Sequence, residues 1–332
     1  MTQPPPEDES SPLEPEWRQW LAENLVRGVN HSELVKVLVA AGAEEEVARA
    51  ALEAELRDPY LQGALQVAQL QWKLEGLLEI YRELFQQSGA YPRVPRHQQL
   101  PPSEFFERYY FRNLPVVVAG AMEDWPALGR WTWERATTQL AGLQVEPSSQ
   151  EAAPPTPLTV SEWVRRLSAG EPGLAHWASA PLLEREELHP LAGELRPPRG
   201  YAARELRASE PRLWLEAAGA ALTPRPARKN LLLCQLSGRR SLQLTPSFEL
   251  PLLRGVTAPP EHGGASSSAP MVLEVALEAG ELVLIPVGWW YGSRASEPGL
   301  WVSFEAFDAP EPNTPWQLPD PGEASPTPYP ED

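Results

Sequence analysis

The apolar positions change their period along this chain. Between Glu16 and Ser88 they recur every three or four residues, the spacing of one helix face. Trp17, Trp20, Leu21 and Leu25 predict a first helix over Glu16 to Val26, broken at Gly28. Asn30 with Glu33 three residues on has the form of a capping box and opens a second helix, Ser32 to Ala41, that stops at Gly42. A third helix is expected from Ala43 to Arg57, ahead of Asp58-Pro59. Three short helices so spaced suit a small helical interaction module or a packing extension of the next domain. The fourth is long, Pro59 to Gln87, with Leu61, Leu65, Ala68, Trp72, Leu78, Tyr81 and Phe85 as a stripe and Leu74 and Leu77 beside it. Such a stripe suits core packing in one chain, a strut, or a seam for a homodimer or another protein along residues 59–88.

Beyond a Pro-rich connector over 90–102 the apolar runs shorten and Gly and Pro separate them, a β pattern. Ser103 reads as the cap of a short helix, Glu104 to Phe111, and Pro115 to Ala119 as the first strand. Trp125, Trp131 and Trp133 are expected to wedge against the sheet. A strand and a Pro-rich loop should occupy 144–157, and Thr159 should cap a helix over Val160 to Ala169. Residues 174–200 read as irregular. Leu213 to Pro246 reads as two strands, the first ending in a turn at Thr223-Pro224 and the second turning at Ser237-Gly238. A long loop follows over 247–270, then strands at Met271 to Leu277, Leu282 to Pro286 and Leu300 to Phe307. Short runs of this kind suggest a small antiparallel barrel or sandwich.

The pieces Leu213-Trp214, Thr223-Pro224, Asn230 to Gly238 and Ala279 to Trp290 also carry a resemblance. They are similar to the JmjC-type, cupin-like domain of Fe(II)/2-oxoglutarate oxygenases, the bacterial cupin-like relatives of the asparaginyl hydroxylases. That core reads W-x-G-x-x-G-T-x-T-P-L-H-x-D, N-L-x-x-Q-V-x-G-R-K and L-x-P-G-E-x-L-F-I-P-x-G-W-W-H. The segment from Gly120 to Trp133 resembles that family's W-P-A-x-x-x-W stretch. The resemblance implies an α+β chain: an N-terminal helical bundle over 16–89, then a double-stranded β-helix (jelly-roll, cupin/JmjC-like) barrel over 90–308. Acidic, Pro-rich tails over 1–15 and 309–332 are expected to be disordered.

The same resemblance assigns a metal site that these residue types do not supply. Non-haem Fe(II) is held by two His and one carboxylate. Pro226 and Arg228 stand in place of the H-x-D pair, and Tyr291 in place of the distal His. Proline has no side-chain donor atom, and arginine is a permanent cation. The five His of the chain lie outside the barrel motifs, and the single Cys, Cys234, reads as a buried small hydrophobe. Arg240 takes the place of the Lys that grips the distal carboxylate of 2-oxoglutarate in the family. With Thr223, Arg225, Asn230, Trp290 and Ser303 it outlines a candidate pocket for a small anion. The expectation is a catalytically degenerate pseudo-oxygenase without a cofactor, a binding or scaffold module. An active Fe(II)/2-oxoglutarate protein hydroxylase and a metal-free anion binder are the alternatives.

Composition narrows the partners. The net charge is −17, which disfavours nucleic acid and anionic membranes, since phosphate contacts need Lys and Arg. One Cys excludes an internal disulfide and suits a reducing cytoplasm. No apolar run has the length of a membrane span, and MTQPPPEDESSPLEPE lacks the regions of a signal peptide.

Overall fold

The computed structural model describes residues 13–88, 93–147, 157–171, 177–205, 211–249, 270–311 and 313–315. Most of the two tails and of the loop expected over 247–270 lie outside the described residues. The fold is α+β, with two compact units, Met1–Glu83 and Leu84–Asp332.

The first unit is helical: α1 (Pro15–Val26), α2 (His31–Ala40), α3 (Glu45–Arg57) and most of α4 (Pro59–Gln87). Leu21, Leu25, Leu34, Leu38, Leu52 and Leu61 form its core. Asn30 caps α2 by accepting from the Ser32 N–H at 2.9 Å. The expected capping box is only half made, because the Glu33 carboxylate turns outward to Lys36 at 2.7 Å. Asp58 does more than end α3: its Oδ1 accepts from the Tyr60 and Leu61 N–H groups at 2.8 and 3.1 Å. With Pro59 at the first helical position, that is a well-formed helix start.

The division between units falls inside α4 because Phe85 joins the core of the second unit, 5.4 Å from the Phe248 ring and 6.3 Å from that of Trp289. In that unit β1 (Arg96–Gln98) runs parallel to β2 (Val116–Ala119). Pro-rich flanks give β1 the look of a connector in the sequence. Between them Ser103 does not cap the short helix α5 (Pro102–Phe105), which starts from Pro101 and widens into a π-turn over Phe106–Tyr110. Then come α6 (Trp133–Gln139), β3 (Gln144–Pro147), β4 (Leu158–Thr159), α7 (Val160–Ser168), β5 (Trp177–Pro181) and α8 (His189–Glu194). Thr159 caps α7 as expected, its Oγ1 accepting from the Glu162 N–H at 3.2 Å. The stretch expected to be irregular thus holds β5 and α8. Trp125 and Trp131 are buried, and Trp133 packs beside them.

Eight strands follow: β6 (Arg212–Glu216), β7 (Ala221–Pro226), β8 (Leu231–Ser237), β9 (Arg240–Thr245), β10 (Leu273–Leu277), β11 (Glu281–Ile285), β12 (Trp290–Ala295) and β13 (Gly299–Phe304). Thr223-Pro224 lies within β7; the preceding turn is at Gly219, whose φ is +80°. The large sheet has the order β1-β2-β11-β8-β13-β6-β5-β3-β4, and the small one β10-β9-β12-β7. Leu233, Val283 and Trp301 of the large sheet share a core with Leu242, Leu244, Leu273, Val275 and Tyr291 of the small one. Leu232, Cys234, Leu282, Val302 and Phe304 point the other way, into a second core with the helices. Two buried faces explain why β8 reads as an unbroken apolar run rather than an alternation. No helix among the described residues is long and apolar enough to cross a membrane.

Candidate functional site

The three positions that the resemblance gives to metal ligands come together. Pro226 ends β7 and is paired with Trp290 of β12; the next residue, Tyr291, is paired with Arg225. The Ala227 N–H donates to the Trp289 carbonyl, and the Gly288 N–H donates to the Ala227 carbonyl, each at 2.8 Å. These bonds tie the end of β7 to the turn that launches β12. Arg228 follows in the exposed turn. Pro226, Arg228 and Tyr291 then line one open cavity of about 520 Å³ with Arg225, Lys229 and Glu305.

The chemistry of this cavity is cationic. The Arg225 Nε–H donates to the Tyr291 hydroxyl at 3.1 Å, and its guanidinium lies 5.5 Å from the centre of that ring. Lys229 Nζ is 3.3 Å from the Glu305 carboxylate at the rim. A proline, a guanidinium and a phenol already engaged by another guanidinium do not fit Fe(II). The fit fails on the groups that are present.

Arg240 lies elsewhere and is otherwise engaged. It is 1% exposed, with Nη2 2.6 Å from Glu216 Oε2 and its guanidinium 4.2 Å from the centre of the Trp301 ring. The contact is a close ion pair rather than an aligned hydrogen bond, and Nε has no partner among the described residues. Burial raises the Glu216 carboxyl above the usual range and lowers the Arg240 guanidinium, each acting against the pull of the other's charge. Trp301 in turn stacks on Trp214 at 4.6 Å, and the Trp214 indole N–H donates to the Ser303 hydroxyl at 2.9 Å. Arg240, Glu216 and Trp301 are all buried between the sheets at this point. Arg240 has a carboxylate from its own chain, so it does not fit a 2-oxoglutarate carboxylate either.

The remaining candidates separate. Asn230 is buried; its Oδ1 accepts from the Val287 N–H at 2.9 Å, and its own N–H and Nδ2 donate to Asn313 Oδ1 at 3.1 Å. Thr223 is exposed on β7. Trp290 lines a different cavity, of about 370 Å³, with Asn113, Ser247 and Gly288. No protein-family model matches the chain, and no curated protein matches it.

Sequence reasoning missed Glu216, Lys229 and Glu305. Glu216 had a legible signal. In Leu213-Trp214-Leu215-Glu216 it shares a strand face with Trp214, so a charge there needs a partner across the sheets. Lys229 and Glu305 had none, because only the fold brings them together.

Proposed function

We propose that the chain is a catalytically degenerate JmjC/cupin-like protein, a metal-free binding or scaffold module on a double-stranded β-helix. The order of β6 to β13, split four and four between the sheets, supports the jelly roll of cupins. The resembling motifs fall on β6, on β7, on β8 with its turn, and from the turn before β11 through β11 to the start of β12. The observation that carries the reading is the lining of the cavity: Pro226, Arg228 and Tyr291 occupy the ligand positions, and the cations around them repel a divalent metal. The test is metal analysis of protein purified with Fe(II) or Mn(II), coupled to an assay for 2-oxoglutarate turnover to succinate. The expected result is trace metal and no succinate. Stoichiometric iron with succinate release would replace this reading by an active protein hydroxylase.

One observation favours a second reading, a metal-free binder of a small anion: Arg225, Arg228 and Lys229 face one cavity. Guanidinium groups suit carboxylates and phosphates, which they hold through two N–H donors at once. A thermal-shift series with dicarboxylates and inorganic phosphate should raise the unfolding temperature. Absence of any shift removes this second reading and leaves the first standing.

A further inference from the structure

Helix α4 carries a second apolar stripe that stands exposed among the described residues. In steps of seven from Tyr60 it holds Tyr60, Val67, Leu74 and Tyr81. Three residues after each of these stand Gly63, Leu70, Leu77 and Leu84. Every apolar member is exposed, from 48% for Leu74 and Leu77 to 89% for Tyr60. The residues α4 buries, Leu61, Ala68 and Phe85, belong to other heptad places. A spacing that alternates three and four over the length of a helix is the seam of a coiled coil, and it specifies another helix with the same repeat as its partner.

We propose that this seam pairs α4 with α4 of a second copy of the chain. Three properties select a second copy. Charged residues bordering a seam set partner choice, and a row of one sign there keeps identical helices apart. Here Lys73 is the one charged residue among the bordering positions, so no such row is present. The chain carries a net charge of −17, which repels another copy over most of its surface. Glu75, Glu79 and Glu83 nevertheless all stand off the seam and its borders, which leaves one stripe where two copies approach without acid facing acid. Finally, the exposed surface of these side chains is on the order of the ~800 Å² per partner that a standard-size interface buries.

Sedimentation of the full chain over a dilution series tests this. The wild type should show twice the 36.8 kDa chain mass and dissociate on dilution. The double variant Leu70→Glu, Leu77→Glu should sediment at half the wild-type mass with unchanged far-ultraviolet circular dichroism, because both sites are already open to water. Leu70→Gln, Leu77→Gln gives the same reading without added charge. A wild type that is monomeric at every concentration overturns the proposal. So does a dimer that survives both double variants.

Discussion

Two arginine-bearing places on one small sheet have opposite fates. On β9, Arg240 is sealed between the sheets with Glu216 at 2.6 Å and Trp301 against its face. On β7 and its turn, Arg225 and Arg228 open into a cavity with Lys229. The first cation is structural and the second set faces water. Position in a motif does not separate them; the presence of an acid at the inward end of β6 does. A charge taken out of water needs a partner, and Glu216 supplies it where the space is closed.

The largest expected effect tests the sealed pair. Arg240→Ala leaves the Glu216 carboxylate buried without its counter-ion, a change that costs about 3–5 kcal/mol. Urea unfolding of the full chain should show it as a lower midpoint. Replacing both partners by apolar residues, Arg240→Met with Glu216→Leu, should cost far less, since no orphan charge remains. If the single and double variants lose the same stability, the pair is not the tie described here. The comparison then fails, and Arg240 is as free as Arg228.

A consequence of smaller size sharpens the same point. Cys234 lies on β8 with its side chain on the helix-facing side, fully buried, and burial pushes its thiol well up from the ordinary value. Its reaction with a thiol reagent therefore requires the sheet to open. If Arg240→Ala weakens that sheet by the amount above, labelling of Cys234 should quicken by about a hundredfold or more, at a factor of ten per ~1.4 kcal/mol. A labelling rate equal to that of the wild type would place the ion pair outside the cooperative unit that protects β8.

Much of the order along the chain was legible because local patterns carry it. Asn30 and Thr159 mark helix starts, and each accepts a backbone N–H there. Ser237-Gly238 marks the β8–β9 turn, where φ at Gly238 is +76° and a Cβ would lie 2.5 Å from the Pro298 carbonyl oxygen. Prolines misled in both directions. Thr223-Pro224 reads as a turn yet sits in β7, the edge strand of the small sheet, where a missing N–H is tolerated. The flanks of β1 hid a strand for the same reason. At the site, Pro226, Arg228 and Tyr291 were legible as residue types. The engagement of Arg240 was not, because a partner across two sheets leaves no local signature beyond an acid at an inward-facing place.

The smallest expected effect is at the open cavity, and it is where the comparison is most exposed to failure. Arg228 is exposed in a turn and makes no ion pair among the described residues. Its removal should therefore change stability by no more than ~0.5 kcal/mol, as for surface sites generally. Arg228→Ala should unfold at the wild-type midpoint in plain buffer. In inorganic phosphate the two proteins should part, with the wild type gaining in unfolding temperature and the variant gaining less, because one of the cations that face the anion is gone. A variant that is destabilised in plain buffer would make Arg228 a structural residue like Arg240. A variant that keeps the full gain in phosphate would move the anion away from this cavity. Either result removes the contrast between the two arginine sites, and only a neutral change in buffer with a diminished response to phosphate preserves it.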